Sequence, residues 1–137
     1  MSLPTKLSVV LRSDLQTALA VNAAAVLCLS LGGRLPELLG EDGKDASGTV
    51  HGGLNTHPVP ILTATPEEMH QLRDRAREAA EVIVVSFNEV ARRARDYENY
   101  LRDLEITPTG NIDYVGVAIF GPRNVVTKLT KRLPLMC

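Results

Sequence analysis

Residues 6 to 12 read KLSVVLR, β-branched and apolar, and run straight into a long Ala- and Leu-rich stretch, so the pattern predicts a strand followed by a helix. Ser13 is placed to cap that helix, and Asp14 to sit in its first turn near the positive end of the dipole. Leu15, Leu19, Asn22, Val26 and Leu29 recur at spacings of three and four, which marks them as one inward stripe and sets the amide of Asn22 among core positions. The opposite face, with Ala20, Ala23, Ala24 and Cys28, is also apolar, so this helix needs cover on more than one side. Gly32-Gly33 is expected to end it as a C-cap.

From Arg34 to His57 the period disappears into a glycine-rich, acid-dotted excursion with a short hairpin expected around Thr49 to His51; loops of this length are more often functional or mobile than idle. Pro58 to Ala64 reads as a short strand, and Thr65-Pro66-Glu67-Glu68 as a helix start with a Thr65 cap and Glu68 placed for a capping box. Met69, Leu72, Ala76 and Ala79 form the inward face of this second helix. Glu81 to Phe87, apolar on both faces, is expected to be a central strand. Asn88 is placed to cap a third helix striped by Val90, Ala94, Tyr97, Leu101 and Leu104. After the TPTGN turn, Tyr114 to Phe120 reads as a fourth strand, Gly121-Pro122 opens a last helix through Lys131, and Leu133 to Met136 adds a short edge strand. This order predicts an α/β fold: a three-layer α/β/α sandwich on a mixed sheet of four to five strands, as one domain over residues 1–137.

Composition narrows the function. The formal charge of −1 excludes a global basic field of the kind that carries non-specific nucleic-acid binding. With three Tyr, two Phe and no Trp, a base-stacking surface is not expected. Two cysteines make no disulfide framework and favour a reducing, cytoplasmic compartment. Ala18 to Leu31, broken by Asn22 and Ser30, falls short of the roughly 20 residues that span a bilayer, so no membrane partner is expected.

Three groups could carry chemistry. Arg12, Asp14 and Asn22 lie at the carboxyl end of the first strand, where ligands of open α/β sheets collect. The same residues also suit a local ion pair, a helix cap and a backbone-bonded core amide. His51, His57, Asp42 and Asp45 are metal-ligand types, but their spacing matches no closed zinc pattern, and neither a metal nor a cofactor is expected. Arg92, Arg93 and Arg95 are laced with acids at helical spacing, whereas Lys128, Lys131 and Arg132 are less compensated. No phosphate loop, nucleophile elbow or helix-borne histidine pair is present.

The strand-to-helix start VVLRSDL, the Ala-rich helix, the strand PVPILTA with its capped helix, and the ending YVGVAIFGPRNVVTKLTKRLPL together resemble the type II peptidyl-tRNA hydrolases, and more closely a bacterial domain-of-unknown-function family placed beside them. The resemblance implies a mixed-sheet α/β/α scaffold and a homodimer. The lysines that the hydrolases carry at the start of helix one are replaced here by Gln16, Leu19 and Val21, and their Asp-Ala-Gly stretch by Asn88-Glu89-Val90. The leading expectation is therefore a cytoplasmic protein that binds a small or anionic ligand through Arg12, Asp14 and Asn22. A second is a hydrolase of peptidyl- or aminoacyl-tRNA or another small ester, with Asp14 or Glu89 as general base, and a third is a structural dimer without a pocket.

Overall fold

The computed structural model of the protein describes residues 3–137. Strand β1 (Thr5–Arg12) leads to helix α1 (Thr17–Arg34), a 3-10 turn (Pro36–Leu38) and a small ribbon of β2 (Gly43–Lys44) against β3 (Val50–His51). There follow β4 (Ile61–Ala64), α2 (Pro66–Glu78), β5 (Ile83–Asn88), α3 (Glu89–Arg93), α4 (Tyr97–Glu105), β6 (Tyr114–Pro122) and α5 (Arg123–Leu129). The main sheet is mixed, in the order β4-β1-β6-β5, with β1 parallel to β4 and antiparallel to β6, and β5 antiparallel to β6. Leu135 bridges Leu62, and Met136 N–H donates to the Ile61 carbonyl at 2.8 Å, so the C-terminal residues run along the β4 edge.

Two apolar clusters clamp the sheet. On one face Ala20, Ala23, Leu27 and Leu31 of α1 meet Leu7, Val9, Leu11 and Ala118. On the other, Met69, Leu72 and Ala76 of α2 and Val126 of α5 meet Val10, Val117 and Ile119. The close approach of α1 depends on Gly116, where a Cβ would lie 2.8 Å from methyls of both Leu11 and Leu27. This packing reverses the expected orientation of α1. Its small-residue face is the inner one, while Asn22 is exposed, as are Val21 at 64% and Leu29 at 79%. Among the described residues α1 is also the one helix long and apolar enough to cross a membrane, with a mean hydropathy of 1.4. One face of it packs on the sheet through Ala20, Ala23, Leu27 and Leu31.

Other expectations need correction. The first helix starts at Thr17 behind Gln16 with no side-chain cap, because Ser13 N–H is taken by the Ala64 carbonyl (2.8 Å) and Asp14 turns back to Arg12. Gly32 and Gly33 lie inside the helix, which ends at Arg34 with Leu35 as its C-cap. Strand β5 is an edge, not a centre, for its apolar faces are covered by the two clusters while, among the described residues, it pairs with β6 alone. The stripe from Val90 to Leu104 is split: Ala94 is extended, and Asp96 starts α4 by accepting from Asn99 N–H at 2.8 Å. Helix α4 buries none of its residues. The α2 start follows the pattern as read, with Thr65 Oγ1 accepting from Glu68 N–H (3.2 Å) and Glu68 Oε1 from Thr65 N–H (2.9 Å).

Candidate functional sites at the strand-one exit and the α2–α5 groove

A bulge in β6 builds the strand-one exit. Phe87 pairs with Gly116 but Asn88 with Tyr114, so Val115 is the extra residue, and the side-chain alternation flips beyond it. Val115 turns toward α1 and the Tyr114 ring toward α2, where it meets the His70 ring at 5.2 Å and lies under the Arg73 guanidinium at 5.9 Å. Nε and Nη1 of Arg73 are buried and find no hydrogen-bond partner among the described residues. The same bulge lets Glu89 N–H reach the Asp113 carbonyl (2.9 Å), which sets the start of α3 beside the end of β1.

Glu89 is the hub of that exit and is only 7% exposed. Its Oε1 faces Arg12 Nη1 at 3.4 Å, and its Oε2 takes Arg92 Nη2 at 2.6 Å, Arg92 Nε at 2.8 Å and Arg93 Nε at 3.5 Å. Arg12 also donates from Nε to Asp14 Oδ1 at 2.6 Å and from Nη1 toward the Tyr114 carbonyl at 3.5 Å. Burial alone pushes the Glu89 carboxyl up, but the hydrogen bond and charge of Arg92 and the charge of Arg12 outweigh it and hold it below the usual range. The Arg12 hydrogen bond likewise lowers Asp14. Burial pulls Arg12 down, yet the hydrogen bond and charge of Asp14 and the charge of Glu89 raise it overall. Both carboxylates are therefore ionised, paired and poor proton acceptors near neutral pH.

Of the sequence-predicted set, Arg12, Asp14 and Glu89 come together, and Asn22 does not. It projects into solvent from the outer side of α1 and takes no part in the network, because α1 turns its alanines and not its leucine stripe to the sheet. The histidines do not converge either. His51 Nε2 pairs with Asp45 (2.9 Å), His57 Nε2 meets Thr5 Oγ1 (2.8 Å), and among the described residues no cluster of three metal-ligating side chains exists.

A concavity of about 510 Å³ lies between α2 and the end of α5. Helix α2 supplies Glu68, Gln71, Leu72 and Arg75, and the chain after Lys128 supplies Lys128, Lys131 and Arg132. Four cations thus face one carboxylate, and that carboxylate caps α2. Among the described residues none of the four forms a salt bridge. Lys128, Lys131 and Arg132 were legible as an uncompensated group, but Arg75 joins them only through the packing of α2 on α5.

The architecture is that of an α/β protein with a four-stranded mixed sheet and helices on both faces. Residues 5–137 match the family model described as a protein of unknown function, DUF2000, and the chain belongs to that family. Its fold is similar to the structure of a protein of unknown function from Agrobacterium tumefaciens, with a TM-score of 0.90 and 23% identity over 99% of this chain and 100% of that one. No match was found among curated proteins.

Proposed function

We propose that this DUF2000 protein is a binding protein, not a hydrolase, and that its ligand is a small phosphate-bearing anion held in the α2–α5 groove. The observation that carries the reading is the set of four unpaired cations around one concavity in a chain whose formal charge is −1. A volume of about 510 Å³ lies within the range of roughly 300–1,000 Å³ common to small-ligand sites. Against catalysis stands the strand-one exit, where Asp14 and Glu89 are neutralised by arginines and have lowered pKa values. The element order resembling type II peptidyl-tRNA hydrolases supports a shared scaffold without the shared activity. Exposed Val21 and Leu29 on α1 support the expected homodimer.

A second reading keeps the anion at the strand-one exit with Arg12. The unpartnered Nε and Nη1 of Arg73 favour it, since buried donors normally find an acceptor. Titration calorimetry with inorganic triphosphate separates the two. Saturable binding is expected, weakened by about tenfold for each charge reversed in Lys131→Glu and Arg132→Glu, because each charge-assisted contact contributes about 1.5–3 kcal/mol. Undiminished binding in the double variant would remove the groove from the account.

A further inference from the structure

The excursion after α1 is a built wall, and what it encloses is apolar. Leu38 and Leu39 run back against Leu54 to Thr56: Leu39 bridges Asn55, Gly40 N–H donates to the Leu54 carbonyl (2.8 Å) and Thr56 N–H to the Leu38 carbonyl (2.8 Å). The two arms touch so closely that a Cβ on Gly53 would lie 1.9 Å from the Gly40 carbonyl oxygen, and only glycine fits there. Between this wall and α1 lies a cavity of about 380 Å³. Leu7, Cys28, Leu35 and Leu38 form its inner lining, and Leu39 and Val59 stand at the more exposed rim.

Gly32 also lines the cavity, and a Cβ added to it would meet nothing within 4 Å. It neither terminates α1 nor takes a positive φ, the two usual reasons for glycine at a helix end. Its effect is to leave the cavity mouth open. The lining's one side-chain amide, Asn55, is already used: its Nδ2 donates to the His57 carbonyl and its Oδ1 accepts from His57 N–H at 3.1 Å. With no charged side chain in its lining, the site offers an ionic ligand nothing to offset its desolvation.

We infer that this cavity is a second binding site, independent of the cationic groove, and that it takes a small uncharged apolar molecule such as an aromatic ring system. A small molecule fits this site better than a protein partner, because its space is only about 380 Å³ and its floor of Leu7, Leu35 and Leu38 is buried. Cys28 is a reporter within the site, half-buried and with its thiol pushed up by burial, whereas Cys137 is exposed.

The neutral fluorophore N-phenyl-1-naphthylamine tests the site. The full-length protein is expected to bind it with one-to-one saturation, and Gly32→Ala to retain binding because that methyl enters open space. Gly32→Phe is expected to weaken binding at least tenfold while melting no lower than Gly32→Ala. In Cys137→Ser protein, saturating fluorophore is expected to slow alkylation of Cys28 by N-ethylmaleimide at pH 9. Equal binding by Gly32→Phe, or unchanged Cys28 alkylation, would overturn the assignment. Binding lost together with conversion of a dimer to a monomer in light scattering would also overturn it, giving the cavity to a second copy of the chain.

Discussion

Glu89→Ala is expected to lower the unfolding free energy by about 3 kcal/mol, at the lower end of the range for breaking a buried ion pair. The carboxylate is shielded, and its loss leaves Arg12 at the end of β1 with only the exposed Asp14 as counter-charge. Arg92 and Arg93 are more exposed and recover water, so the cost falls chiefly on Arg12. The effect has a definite pH signature. Glu89 titrates below the ordinary glutamate value of about 4.3, so between its folded and unfolded pKa the unfolded chain binds more protons. Its contribution is therefore complete above that value and is lost as the pH falls through the folded pKa. Urea unfolding followed by circular dichroism should show a constant gap between wild type and Glu89→Ala from pH 7 to pH 5, closing below pH 4. A gap that persists at low pH would mean that Glu89 acts by packing and not by charge.

The other large effect belongs to the contact between α1 and the sheet. Leu27→Ala is expected to cost about 3–4 kcal/mol, since Leu27 is fully buried and its removal leaves a hole that the rigid sheet below it cannot fill. Gly116→Ala alone is expected to destabilise by about 1–3 kcal/mol through overpacking, because its new methyl would sit 2.8 Å from Leu27 and Leu11. In the Leu27→Ala background one of the two clashes is gone, and the Leu11 side chain can shift into the vacated space. The double variant should therefore be more stable than the sum of the single changes by about 1 kcal/mol or more. Simple additivity would show that Leu27 and Gly116 do not bear on each other.

Much of the fold was legible because local chemistry decided it. Thr65 and Glu68 announce their helix whatever surrounds them, and Pro122 ahead of α5 does the same. The misreadings came where neighbours decide. Two faces of α1 are apolar, and the periodicity favours the one with larger residues; the sheet takes the other, where Ala20 and Ala23 lie with Leu27 and Leu31, and Gly116 makes room for Leu27. That choice alone moved Asn22 from core to solvent. Strand β5 showed burial, which period and composition report, but not position, which depends on pairing with β6. Asp96 interrupts a stripe that continues at perfect helical spacing, and an aspartate inside such a stripe was the available sign of a new cap.

The sites divide in the same way. Arg12 and Asp14 are two residues apart and pair as a short-range reading expects. Glu89 reads as a candidate base, yet its partners come from β1 as well as from its own helix, and only their packing shows that it holds arginines in place of a substrate. The groove was half visible, in the uncompensated Lys128, Lys131 and Arg132, and became a concavity once α2 contributed Arg75.

The anion site proposed for this protein is the α2–α5 groove. Titrating 15N-labelled protein with inorganic triphosphate and following backbone amide shifts by NMR tests it most directly. Saturable shifts are expected at Gln71, Arg75 and Lys128 to Leu133, with Arg12, Arg73 and Glu89 unmoved. Shifts grouped instead at Arg12, Asp14, Arg73 and Glu89, or none at any concentration, would contradict it.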